Sequence, residues 1–162
     1  MAKLDSRQSA GSKSFLDGLS KTYRYILKSR DSETVSLGDE LKFAETFLQL
    51  QLTRFPKGLE WKNRVSAEYL HYRIVPVTIQ NMIENAIKHN QIDEDTPLVI
   101  ELDIIDEYLV IRNNLQKKEF VETSNQHGLR SLQNLYSYMT DRPIVVEETN
   151  EYFTISIPLL QA

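Results

Sequence analysis

Residues 76–90 read PVTIQNMIENAIKHN, and two stripes run through them. Ile79, Met82, Ile83, Ala86 and Ile87 recur at helical spacing and form one apolar face directed at a core. Asn81, Glu84, Asn85 and Lys88 recur at the same spacing and form a second, polar face. Pro76 suits a first turn, so a helix is predicted over Val77–His89. Downstream, Ile100, Leu102 and Ile104 alternate with acidic residues and predict a strand. Asp106-Glu107 then turns the chain into a return strand, Tyr108–Asn113. A second strand pair, Ile144–Glu148 and Tyr152–Leu159, is predicted about a turn near Asn150, after a helix opened by Gly128 and running to Met139. Upstream, Leu59–Val65 alternates after the turn Pro56-Lys57-Gly58. These elements predict an α+β protein. Its architecture is a two-layer α/β sandwich with a mixed, mostly antiparallel sheet covered by helices on one face.

Two further helices precede the sandwich. Phe15, Leu16, Leu19, Tyr23, Ile26 and Leu27 predict one over Phe15–Lys28. The polar loop SRDSETV follows. Ser36 and Asp39 have the spacing of a capping box, opening a second helix that carries Leu41, Ala44, Phe47, Leu48 and Leu52 and stops before Pro56. Tyr23-Arg24-Tyr25 and Arg54-Phe55 read as packing residues between these helices. Residues 1–14 are polar and read as a disordered leader or a cloning remnant. The expected organisation is therefore a leader (1–14), a helical region (15–55) and a sandwich domain (56–162).

Composition narrows the function. The 162 residues contain no cysteine, which excludes disulfides, cysteine-ligated zinc and thiol catalysis. No stretch approaches ~18 consecutive apolar residues, the length that a membrane-spanning helix needs. Net charge is −4, unevenly spread: residues 1–30 carry +5 and the rest −9. An acidic body is a poor match for phosphate backbones, so nucleic acid is not an expected partner.

Two carboxamides, a carboxylate and an ammonium along one helix face suit solvent. They could also hold a hydrated Mg²⁺ and a polyphosphate, because Mg²⁺ prefers oxygen ligands and keeps several waters. In that case Lys88 neutralises phosphate as a point cation.

IVPVTIQNMIENAIKHN (74–90) resembles the N box of the ATP-binding domain of LytS-type sensor histidine kinases. FLDGLSKTYRYIL, VSLGDELKFAETFLQLQLTRF, LVIRNNLQKKEF, GLRSLQNLYSYM and FTISIPLL follow that family's order and spacing, covering roughly residues 14–160. The resemblance implies the Bergerat fold shared with gyrase and MutL ATPases, with ATP and Mg²⁺ as cofactors. It implies that Asn85 coordinates the metal and that Asn81 lines the same face. Lys88 and His89 would lie near the phosphates or the lid, and Glu84 would orient or activate the acceptor histidine. Asn113 stands at the family's adenine-reading aspartate, and its side-chain oxygen can accept from the adenine amino group. Asn114 to His127 would be the lid over the nucleotide, with Asn114 against it. Gly128 and Arg130 would receive phosphate at the start of the following helix. The implied activity is transfer of the ATP γ-phosphoryl group to a histidine. The implied partners are a response regulator and a second subunit, in a protein held in the inner membrane by segments outside this sequence with this domain in the cytoplasm.

The sequence departs from the pattern at several places. Leu115 replaces an expected glycine, Gln126-His127-Gly128 replaces Gly-x-Gly, and Ser131 and Leu135 replace an asparagine and an arginine. Glycines there let backbone approach phosphate closely. A rival expectation follows, a nucleotide-free module used for dimerisation or interaction; a freestanding ATPase of the gyrase group is a third. His71, His89 and His127 do not sit in the family's Pro-His-Phe-type acceptor block, which is expected upstream of residue 1. His71 itself is expected to be partly buried.

Overall fold

The protein is described here from a computed structural model, which covers residues 13–21, 24, 33–119 and 126–162, without the side chains of residues 126 and 127. Residues 13–21 are helical (α1). The rest of the helix expected to Lys28 falls outside the described residues apart from Arg24, which is helical. Phe15, Leu16 and Leu19 of α1 are exposed. At Gly18 a Cβ would lie 2.7 Å from Leu50 Cδ2, so glycine permits close approach to the next helix, α2 (Leu37–Arg54).

Ser36 caps α2 as its sequence predicts. Its Oγ accepts the Asp39 N–H at 3.1 Å, satisfying one of the free donors of the first turn. The helix ends where the Phe55 N–H bonds Gln51 O at 2.8 Å, and the Arg54 guanidinium lies over the Phe55 ring. Leu37, Leu41, Ala44, Phe47 and Leu48 turn inward. Each of the leucines and Phe47 contributes roughly 1.5–3 kcal/mol on burial.

Just before α2, Val35–Ser36 (β1) pairs antiparallel with Arg73–Ile74 (β3). This two-stranded sheet was not expected, because two residues are too short for alternation to register. His71 lies in the turn preceding β3 and is exposed, not partly buried as expected.

The main sheet contains β2 (Leu59–Asn63), β4 (Leu98–Ile105), β5 (Tyr108–Asn114), β6 (Val145–Glu148) and β7 (Tyr152–Pro158). Their spatial order is β2-β4-β5-β7-β6. β2 runs parallel to β4, and every other pair is antiparallel. The mixed, mostly antiparallel sheet is the one the sequence predicts. β2 is two residues shorter than expected: Asn63 Oδ1 accepts the Val65 N–H at 3.0 Å and turns the strand away. At the β4–β5 hairpin, Asp106 and Glu107 have φ of 50° and 60°, both positive as the tightest two-residue hairpin turns require.

Alternation decides which face is covered. Leu98, Ile100 and Leu102 of β4, Leu109 and Ile111 of β5, and Ile155 and Ile157 of β7 are buried. They share one core with the apolar faces of α2 and of α3 (Thr78–His89), and with Tyr136 of α4 (Gln126–Met139). The opposite face stays open. There Glu101 meets Arg112 at 2.9 Å, with Arg64 and Lys62 also within 4 Å.

Candidate functional site

The site is built on α3. Its apolar stripe is buried as predicted: Ile79, Met82, Ile83, Ala86 and Ile87 all lie in the core. That fixes the opposite face by geometry alone, because residues three and four apart share a side. Asn81, Glu84 and Lys88 are exposed, and Asn85 is half-buried. The helix starts at Thr78, one residue later than expected, so Pro76 lies outside its first turn. Val77 is the N-cap, in the left-handed region at φ 67°, and its side chain offers no cap. A carboxylate from α2 fills that role. Glu40, fully buried, accepts the Val77 N–H at 3.2 Å and the Ile79 N–H at 3.1 Å. Negative charge at this end also complements the helix dipole.

Gln80 was not foreseen as a site residue. Its Nε2 donates to Glu84 Oε1 at 3.1 Å, holding the carboxylate to one side of the helix. The i to i+4 spacing is the signal that would have revealed it. The Asn85 side chain makes no hydrogen bond among the described residues, which leaves its carboxamide oxygen as a free hard donor.

Asn113 and Asn114 end β5 in different states. Asn113 is buried, and its Nδ2 donates to Asn114 O at 2.8 Å. Its Oδ1 has no partner among the described residues and is left as an acceptor. The Asn114 carboxamide is spent: Oδ1 accepts the Val99 N–H at 2.8 Å and Nδ2 donates to Pro97 O at 3.0 Å. In this arrangement the Asn114 side chain ties down the start of β4, and it is not free for a ligand as the sequence suggested.

The segment after β5 is likewise less free than a lid running from Asn114 implies. Leu115 N–H bonds Glu151 O at 2.8 Å, Gln91 N–H bonds Gln116 O at 2.8 Å, and Lys118 N–H bonds His89 O at 3.1 Å. Asn90, fully buried beyond the end of α3, accepts the Gln116 N–H at 2.7 Å and donates to Ala86 O at 2.9 Å. Residues 116–118 are thus laced to the end of α3, while 120–125 fall outside the described residues. α4 begins at Gln126, two residues before Gly128, so Gly128 and Arg130 both lie within its first turns and are exposed.

His89 is half-buried at the end of α3. Burial, then the neighbouring Lys88, Lys118 and Lys117, hold its imidazole below the usual histidine range. Among the described residues no group of three or more His, Asp or Glu side chains forms a metal cage.

The fold is that of a histidine-kinase catalytic domain. The structure matches the nucleotide-free catalytic domain of histidine kinase ThkA with a TM-score of 0.50 at 12% identity, covering 80% of this chain and 97% of that one. The sequence carries the relationship further. The family described as "Histidine kinase" matches residues 1–59. The sensor protein LytS of Staphylococcus haemolyticus is 37% identical over 71 residues, 44% of this chain and 12% of that protein. The sensor protein kinase HptS of Staphylococcus aureus is 36% identical over 84 residues, 52% of this chain and 16% of that protein. The chain is similar in sequence to these sensor kinases over about half its length, and it spans 12–16% of the length of the curated relatives it matches.

Proposed function

We propose that this chain is the ATP-binding catalytic region of a two-component sensor histidine kinase. It would transfer the γ-phosphoryl group of Mg·ATP to a histidine outside residues 1–162. The observation that carries the reading is the division of α3, whose apolar stripe is sunk in the core while Asn81, Glu84, Asn85 and Lys88 share the other side.

The donor set fits Mg²⁺. One uncommitted carboxamide oxygen at Asn85, without a cage of carboxylates, suits an ion that takes few protein ligands and completes its shell with water and phosphate oxygens. When bound, such an ion neutralises charge on the transferring phosphates. Lys88 adds a cation on the same side, and Asn81 offers a carboxamide one turn before Asn85. Burial and the neighbouring lysines disfavour the charged form of His89, which suits a hydrogen-bonding role. The unused Oδ1 of Asn113 accepts from an adenine amino group. Asn114 braces the strand beside it. Glu84, steadied by Gln80, faces the approaching histidine. Gly128 and Arg130, in the first turns of α4, contribute to phosphate binding. The partners are a response regulator and a second copy of the kinase subunit. The parent protein is anchored in the inner membrane by segments outside this sequence, with this region on the cytoplasmic side. Among the described residues no helix is long and apolar enough to cross a membrane.

Calorimetric titration with Mg·ATP tests the assignment. Saturable heat that disappears in Asn85→Ala is expected. Silence at millimolar nucleotide returns the nucleotide-free module.

A further inference from the structure

Three backbone N–H groups at the head of α3 are fixed by side chains of two other helices. Glu40 of α2 takes the Val77 and Ile79 N–H groups, and the buried Tyr136 hydroxyl of α4 takes the Val75 N–H at 3.0 Å. Thr78 Oγ1 closes the turn onto Val75 O at 2.7 Å. A helix normally receives this service from its own N-cap side chain, which bonds the second or third N–H. Here the N-cap is a valine held at φ 67°, a conformation costly for a β-branched residue. The conformation persists because the surroundings over-determine it. A carboxylate with no solvent exposure is itself costly to bury unless hydrogen bonds hold it. Both costs are met at one joint.

The joint has geometric consequences. Glu40 grips two N–H groups two residues apart, so it fixes both the axial position and the rotation of the helix start. A helix turns about 100° per residue, so a small rotation at Ile79 carries Asn81 and Asn85 through the same angle. The core stripe resists large rotations but tolerates small ones, and ligand geometry is sensitive on that smaller scale.

We propose that Glu40 is a positioning residue for the nucleotide face of α3, an inference that rests on the nucleotide reading above. It sets where Asn81 and Asn85 point by fixing the backbone at the head of the helix that carries them.

The test compares Mg·ATP affinity of the wild-type chain with Glu40→Gln, Tyr136→Phe and Leu48→Ala, at a temperature where each is folded by circular dichroism. Leu48→Ala removes packing from the same helix α2 and leaves the joint intact. Glu40→Gln breaks one of the two grips, because an amide presents a donor where the carboxylate presented an acceptor. Tyr136→Phe removes the other side-chain grip, on the Val75 N–H, with Glu40 in place, and it carries the test should Glu40→Gln not fold. A dissociation constant raised about tenfold or more by Glu40→Gln or Tyr136→Phe, with Leu48→Ala near wild type, is the expected result. Equal affinity in all four chains overturns the positioning role while leaving the nucleotide site standing. A loss in Leu48→Ala as large as in Glu40→Gln also overturns it, since general loosening would then suffice. Absence of binding in the wild-type chain removes the nucleotide reading and this inference together.

Discussion

Asn90 and Gln116, 26 residues apart, are joined by a 2.7 Å bond from the Gln116 N–H to Asn90 Oδ1. Through it the end of α3 and the segment leaving β5 become one rigid piece. Asn90 uses its other amide group on Ala86 O, so both halves of a fully buried side chain are satisfied. Removing it takes this partner from the buried Ala86 O and the half-buried Gln116 N–H. Asn90→Ala is therefore expected to destabilise the fold by about 2–4 kcal/mol. Thermal unfolding by circular dichroism measures it, and faster amide exchange at Gln116 would localise the loss.

Asn85 and Asn114 offer a contrast within one residue type. Asn114 closes hydrogen bonds to Val99 and Pro97, whereas the Asn85 side chain closes none among the described residues. Asn114→Ala should cost about 1–3 kcal/mol of stability. Asn85→Ala should stay within about 0.5 kcal/mol of wild type while abolishing Mg·ATP binding. Denaturant melts of the two variants, run side by side, check the difference. Equal stability losses would contradict it.

Gly58 has φ of 94°, and a Cβ there would lie 2.6 Å from Asp93 O, a backbone atom that cannot swing aside. Its own carbonyl accepts the Leu98 N–H at 2.8 Å and starts the parallel pairing of β2 with β4. Gly58→Ala combines a disfavoured backbone with a collision at this register point. A loss of about 2–4 kcal/mol is expected from chemical unfolding, with no rescue from Gly58→Ser.

His89 predicts a pH dependence with a definite sign. Its folded imidazole is held below the unfolded value of 6.5, chiefly by burial and then by Lys88. Between the two values the unfolded chain binds more protons than the folded one, so stability rises with pH across that window. Above about pH 7 both forms are neutral and the contribution levels off. Melting temperatures should therefore fall as pH drops below 6.5, and His89→Gln should flatten that part of the profile. A proton-NMR titration of the His89 ring gives the shift directly. A midpoint above 6.5 would reverse the sign.

Much of the architecture is legible as periodicity. The stripe Ile79, Met82, Ile83, Ala86 and Ile87 announces a buried helix face, and the polar stripe opposite follows from the same angle per residue. The β4–β5 hairpin is legible because alternation is local and Asp106-Glu107 marks the turn. The Ser36 cap on α2 is legible for the same reason: donor and acceptor lie three residues apart. The parts that were not legible are those joined across long stretches of chain. Glu40 caps a helix 37 residues away, so no spacing rule points to it. The β1–β3 ladder consists of two residues a side, held in place by what surrounds it. Asn113 and Asn114 are adjacent and chemically identical, yet one keeps a free acceptor and the other is consumed by β4. Side-chain type and local rhythm depend on neighbours in sequence, so the chain alone settled the elements and the chemistry available on α3. Which carboxylate caps, which asparagine is spent and where the lid segment is fastened depend on groups brought together by folding. Those were decided only when the sheet and its helices closed on one core.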